Sequence, residues 1–206
     1  MDNVRKEIEG YASGMKEVFS KLPVETIEKI IKVLLDAYEN GGKVITMGNG
    51  GHGATASHCI NDLAKHTIVS DKKDEVIVKG KRFKTLCLCD NVATLTSWAN
   101  DVGYDSVFAE QLENWVEKGD VVIGYTGSGN SENVLRAFKV AKEHGATTVA
   151  LTGYQGGKIK AIADICLIVP SDRISFIEDI HFSLIHMWCD SLRRIIKEKY
   201  GRESKQ

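Results

Sequence analysis

No stretch of the sequence approaches the roughly 20 apolar residues needed to cross a membrane, and the opening Met1-Asp2-Asn3-Val4-Arg5-Lys6 lacks the apolar run of a signal peptide. These absences lead us to expect a cytoplasmic protein with no membrane partner. Nor is there a block of like charge. The 27 basic and 28 acidic residues leave a formal charge of -1 and no footprint for nucleic acid, so the expected partner is a small soluble molecule. The five cysteines, an odd number, do not suit a disulfide framework in a chain of 206 residues. Cys87 and Cys89 are two apart, a spacing that puts both on one face of a strand rather than in a chelating turn, and they read as packed thiols. Cys59, Cys166 and Cys189 have no activating neighbour in the sequence and read the same way.

What is present is a strand-glycine-helix rhythm. Two runs with helical spacing come first: residues 2–20, with Ile8, Tyr11, Met15, Val18 and Phe19, and Val24 to Tyr38 before the stop Asn40-Gly41-Gly42. Short apolar strands are then expected at 43–47, 85–89, 121–124, 147–151 and 165–169, followed in turn by helices reaching about Lys65, Trp98, His144 and the C-terminal region. Strands apolar on both faces and alternating with helices predict a doubly wound α/β fold with a five-stranded parallel sheet. The length suits one domain: a helical arm over 1–40, an α/β core with the last helix over 41–199, and a polar tail over 200–206 that is expected to fray. The charged stretch 69–82, with Asp71, Lys72, Lys73, Asp74 and Glu75, reads as a solvated loop or short hairpin.

Two glycine-rich turns fall at strand carboxyl ends, where ligands bind in such sheets. Thr126-Gly127-Ser128-Gly129-Asn130-Ser131 offers glycines for close approach, three hydroxyls, and a helix start at Glu132-Asn133-Val134, which together suit a phosphate dianion. The sequence has no G-x-x-x-x-G-K-S/T, which excludes that class of nucleoside triphosphatase. Gly48, Gly50 and Gly53 spell G-x-G-x-x-G. The acidic residue of a dinucleotide site, due about 20 positions on, is missing; the nearest counterpart is Asp90. Either turn alone reads equally well as an ordinary connection.

The ordered set Gly48-Asn49-Gly50-Gly51, Trp98-Ala99-Asn100-Asp101-Val102-Gly103-Tyr104, Thr126 to Ser131, Val169-Pro170-Ser171 and Glu178 through His186 resembles the sugar isomerase (SIS) domain, and within it the phosphoheptose isomerase family. The resemblance implies a flavodoxin-like strand order and a homotetramer with sites at subunit contacts. It also implies conversion of sedoheptulose 7-phosphate to D-glycero-D-manno-heptose 7-phosphate, for heptose and surface polysaccharide. Carried over position by position, substrate contacts fall on Asn49, Gly50, Gly51, Asp62, Asn100, Asp101, Thr126, Gly127, Ser128, Ser131 and Glu178. One zinc ion per subunit falls on His58, Asp62, Glu178 and His186. The chain departs from the family pattern in having Asp62 for glutamate, Glu178 for glutamine, His52 for serine, His66 for another basic residue, Thr126 for serine and Gly127 for threonine.

Moving a carbonyl between neighbouring sugar carbons needs a base for a carbon-bound proton and a group to shuttle hydroxyl protons through an enediol. His58 and Asp62, four apart, share a helix face; alone, such a pair reads as readily as a surface contact. With the resemblance, Asp62 is the expected base and His186 its acid-base partner, with Glu178 an alternative base. On a straight helix, eight residues separate Glu178 from His186 by about 12 Å, so both reach one ion only if Glu178 precedes the regular helix or a second subunit contributes. His181 and Asp179 are expected in supporting roles, and His144 as a helix C-terminal residue. Competing readings are a non-catalytic tetrameric relative that binds the replication initiator, and a phosphosugar sensor, lyase or isomerase for another sugar on the same fold.

Overall fold

The computed structural model describes residues 1–70, 72 and 75–201. Asp71, Lys73 and Asp74 of the charged stretch, and the tail over 202–206, lie outside the described residues. Five strands, β1 (Lys43–Gly48), β2 (Lys84–Cys87), β3 (Val121–Tyr125), β4 (Thr147–Thr152) and β5 (Ile165–Ile168), form one sheet in the order β2-β1-β3-β4-β5. Every pairing is parallel, with Val44 opposite Thr85 and Val121, and Val149 opposite Ile165.

The strands are apolar on both sides because both faces of the sheet are covered. Val44, Val121, Ile123, Tyr125, Val149, Leu151 and Leu167 share one core with α2 (Val24–Asn40), α3 (Gly51–Lys65) and the long α7 (Ile174–Tyr200). Ile45, Met47, Val122 and Ala150 share the other with α5 (Ala109–Glu113) and α6 (Glu132–Glu143), while α4 (Val92–Asp101) adds Leu95 and Trp98 at its edge. The inner stripe of α7, with Leu184, Ile185, Trp188, Leu192 and Ile196, is fully buried, and each such side chain contributes about 1.5–3 kcal/mol. α1 (Asp2–Ser20) lies outermost; the Tyr11 hydroxyl donates to Asp179 and ties it to α7.

The strands and long helices fall where the apolar pattern places them, with differences at the ends. β2 stops at Cys87, so Cys89 is not on the strand face expected for it. There the chain turns away from the sheet edge to enter α4, whose cap Asn91 accepts a hydrogen bond from the Thr94 N–H at 3.1 Å. Cys89 instead donates its thiol to the Gly48 carbonyl at 3.3 Å. α4 runs on to Asp101, past Trp98, and α5 is an element the spacing did not disclose. Val69 and Val76, within the charged stretch, form an isolated antiparallel bridge. From β1 the chain goes first to the β2 edge and then back across to β3, so the crevice between the carboxyl ends of β1 and β3 is the switch point of the sheet. The two glycine turns stand on its two sides.

Candidate active site

The β3 side of the crevice carries the Thr126–Ser131 loop. Thr126 is buried, and its Oγ1 accepts from the Gly129 N–H at 3.3 Å and lies 3.4 Å from Ser131 Oγ. Gly129 has φ +68°, a backbone state that suits glycine. The loop is braced from behind: Gly153 N–H donates to the Gly127 carbonyl at 2.9 Å, Ile159 N–H to that of Gly129 at 3.0 Å, and Lys158 N–H to Asn130 Oδ1 at 3.0 Å. Ser131 is the N-cap of α6 but makes no side-chain cap bond. The Val134 N–H is taken up by the Ser131 carbonyl at 3.1 Å and by Asn133 Oδ1 at 2.9 Å, and the Glu132 and Asn133 N–H groups before it, orphaned in any helix, are the ones that can face an anion.

The β1 side carries Asn49, Gly50 and Gly51. Asn49 and Asn133 pair amide to amide, at 3.0 and 2.9 Å, and Tyr104 donates its hydroxyl to Asn49 Oδ1 at 2.9 Å. The first glycine turn, the Trp98–Tyr104 segment and the first turn of α6 thus meet on one side chain. Asn133 is almost fully buried, and sequence reasoning missed it because it reads as an ordinary first-turn helix residue. Beside this turn lies a cavity of about 320 Å³ lined by Gly48, Gly50, Gly53, Ser57, Cys89 and Tyr104.

α3 and α7 pack side by side along one seam. The Glu178 carboxylate lies over Gly51, with Oε1 3.6 Å from His52 Nδ1. The His58 ring stacks on Phe182, with centroids 4.2 Å apart. Next come His58 Nε2, 3.1 Å from His186 Nε2, and Asp62 Oδ2, 3.2 Å from His58 Nε2 and 3.7 Å from His186 Nε2. Beyond them His66 Nε2 is 2.9 Å from Asp190 Oδ1. A zinc ion with bonds of about 2.0–2.1 Å holds tetrahedral ligand atoms about 3.3 Å apart, so the spacing of this triangle fits such an ion, and two imidazoles with a carboxylate are the right donor set.

Of the four ligands expected from the sequence, the fold brings together His58, Asp62 and His186. Glu178 is not with them. It lies inside the regular helix, two turns before His186, so the rise of about 12 Å stands and one chain cannot bring both to one ion. Asn100 and Asp101 end α4, exposed, and their described side-chain bond is to each other at 2.7 Å. His181 is fully buried, 3.3 Å from the Thr152 carbonyl, and burial pushes its pKa down to about 3, with His52 adding to the effect. Burial likewise lowers the pKa of His52, with Glu178 opposing. The thiols have the opposite problem: burial raises Cys59 to about 12 and also raises Cys189, which leaves both as inert core groups. His144 ends α6 as expected, with its ring 3.0 Å from Glu113.

A profile of the SIS domain matches residues 10–153. The chain is 35% identical over 198 residues to a phosphoheptose isomerase of Helicobacter pylori (strain P12), an alignment covering 96% of this chain and 98% of that one. Its fold is similar to a solved phosphoheptose isomerase from Neisseria gonorrhoeae, at TM-score 0.81 and 30% identity over 92% of this chain and 98% of that one. A phosphoheptose isomerase structure from Francisella tularensis gives 0.83 and 32% over 94% and 97%.

Proposed function

The chain belongs to the SIS domain family and, within it, to the phosphoheptose isomerases, and from that membership we propose how its own residues interconvert sedoheptulose 7-phosphate and D-glycero-D-manno-heptose 7-phosphate. The observation that carries the reading is the His58, Asp62 and His186 triangle on the α3–α7 seam, with the start of α3 standing at the same crevice as the Thr126–Ser131 loop. His58 is six residues beyond His52, which touches the loop, a rise of about 9 Å along α3. That is the scale of an extended heptose phosphate, so a sugar held by its phosphate brings its carbonyl end to the triangle.

The Thr126–Ser131 loop and the open N–H groups of α6 take the phosphate. Asn49, Gly50, Gly51, Asn100, Asp101 and Glu178 are proposed to line the sugar. Asp62 removes a proton from C1 and returns it to C2, while His186 gives a proton to O2 and takes one from O1, which passes through the enediol and balances. His58, Asp62 and His186 would hold one divalent ion, zinc by its donor set, and the ion would supply polarisation of the carbonyl and the neighbouring hydroxyl. Asp62 has two oxygens for its two duties. Oδ2 faces the imidazoles and Oδ1 accepts from Asn61 at 3.2 Å, a bond that substrate can displace at a part-exposed site.

A homotetramer with sites completed at subunit contacts, working in the cytoplasm, completes the proposal. Phe182 and the His186 side chain, both beside the triangle, are 38% and 51% exposed in the single chain, which is the surface a neighbour would cover. Turnover of sedoheptulose 7-phosphate, followed by NMR with and without a chelator, tests the reaction. Product without chelator and its loss with chelator are expected. No product in either arm would refute the reading.

A further inference from the structure

His52, the second residue of α3, has no duty in the reaction above, yet the residue is only 7% exposed. Nδ1 faces Glu178 Oε1 at 3.6 Å, and the His181 ring lies beside it with centroids 5.2 Å apart. Nε2 is buried and has no hydrogen-bond partner among the described residues. A buried nitrogen left unpaired costs about 1–3 kcal/mol, and such atoms are few in folded proteins. The ring's far edge meets the phosphate loop. A Cβ built on Gly127 would stand 3.4 Å from His52 Cε1, 3.9 Å from its Nε2 and 2.6 Å from Ile174 Cδ1.

Ile174 Cδ1 takes the space of a side chain at 127, and the imidazole edge lies beside that space at ordinary van der Waals distance, with Nε2 next to the loop. His52 and Gly127 are both positions where the chain departs from its family pattern, one larger and one smaller. Among the described residues, Nε2 is an unpaired buried nitrogen standing beside the Gly127 backbone of the loop.

We infer that His52 is a further substrate-binding residue: its Nε2–H donates to an oxygen of the substrate phosphate held in the Thr126–Ser131 loop. This rests on the reading of the loop as a phosphate site. It adds to that reading a donor supplied by α3.

The test uses inorganic phosphate and the full chain with labelled histidine. The 15N resonance of His52 Nε2 should move as phosphate saturates the protein. His52→Leu, which keeps the volume and removes the donor, should weaken phosphate binding about tenfold or more and raise KM for sedoheptulose 7-phosphate by more than it lowers kcat. His52→Gln, whose amide nitrogen can stand where Nε2 stood, should restore most of the loss. An Nε2 resonance that stays still at saturating phosphate overturns the inference, whether or not the variants fold. So do leucine and glutamine variants that both bind phosphate as the wild type does. Phosphate binding is read without turnover. A chain that binds phosphate through His52 but does not isomerise the heptose phosphate refutes only the reaction, and one that isomerises it with His52 indifferent refutes only this inference.

Discussion

Asp62 stands between two imidazoles with its side chain 13% exposed, and no other carboxylate among the described residues lies within the triangle. Its replacement is the sharpest single-residue test of the chemistry. Asp62→Asn keeps size and shape but removes the base, and kcat should fall about 10²–10⁴-fold with the melting temperature little changed. A variant retaining more than about a tenth of the rate would take Asp62 out of the role. His181 tests a different property. Its pKa in the folded chain is about 3, against about 6.5 for a free histidine. As pH falls below about 6.5 the unfolded chain binds this proton first, so stability is full above that value and declines toward pH 3, by at most about 1.4 kcal/mol per pH unit. Urea midpoints at about pH 7.5 and about pH 5 should therefore lie closer together in His181→Gln than in the wild type. An equal spread in both would remove His181 as a source of the acid sensitivity.

At the scale of elements, the site depends on two helix starts being held in register. The Asn49 and Asn133 amides join the turn before α3 to the first turn of α6. Asn133→Ala leaves Asn49 facing a gap and should cost about 1–3 kcal/mol of stability while raising KM about tenfold. Unchanged kinetics in a folded Asn133→Ala chain would show that the pairing does not position the turn. The elements were largely legible in the sequence, because apolar period and glycine punctuation are local signals: β1, β3, β4 and the starts of α3 and α6 need no tertiary information. α5 was not legible. It is five residues long and has no capping side chain, and its inward residues are held by α6 and the sheet. The end of β2 was missed for a related reason, since Leu88 and Cys89 continue the apolar run while the chain leaves the ladder just after the Leu88 N–H bond to the Thr46 carbonyl.

For the molecule as a whole, the seam between α3 and α7 decides function, and it joins residues more than 120 positions apart, such as His58 with His186. Sequence spacing could place His58 with Asp62 on one face, and it gave the reason Glu178 and His186 diverge. The approach of α7 to α3, and so the pairing of His66 with Asp190, follows only from packing. Val4 and Ile8 on α1, with Phe182 on α7, leave apolar surface uncovered in the single chain. Sedimentation should accordingly give the mass of a tetramer, and Ile8→Asp should shift it toward smaller species. A wild-type monomer at micromolar concentration would contradict the assembly.

In the proposed site a metal on His58, Asp62 and His186 and a phosphate in the Thr126–Ser131 loop are held at the same time. Crystals soaked with sedoheptulose 7-phosphate and measured at a metal absorption edge test both halves at once. An anomalous peak bonded to His58 Nε2, Asp62 Oδ2 and His186 Nε2 is expected, with the sugar phosphate seated in the loop and its carbonyl end toward that peak. A metal elsewhere, no metal in an active crystal, or a phosphate bound away from the loop would contradict this arrangement.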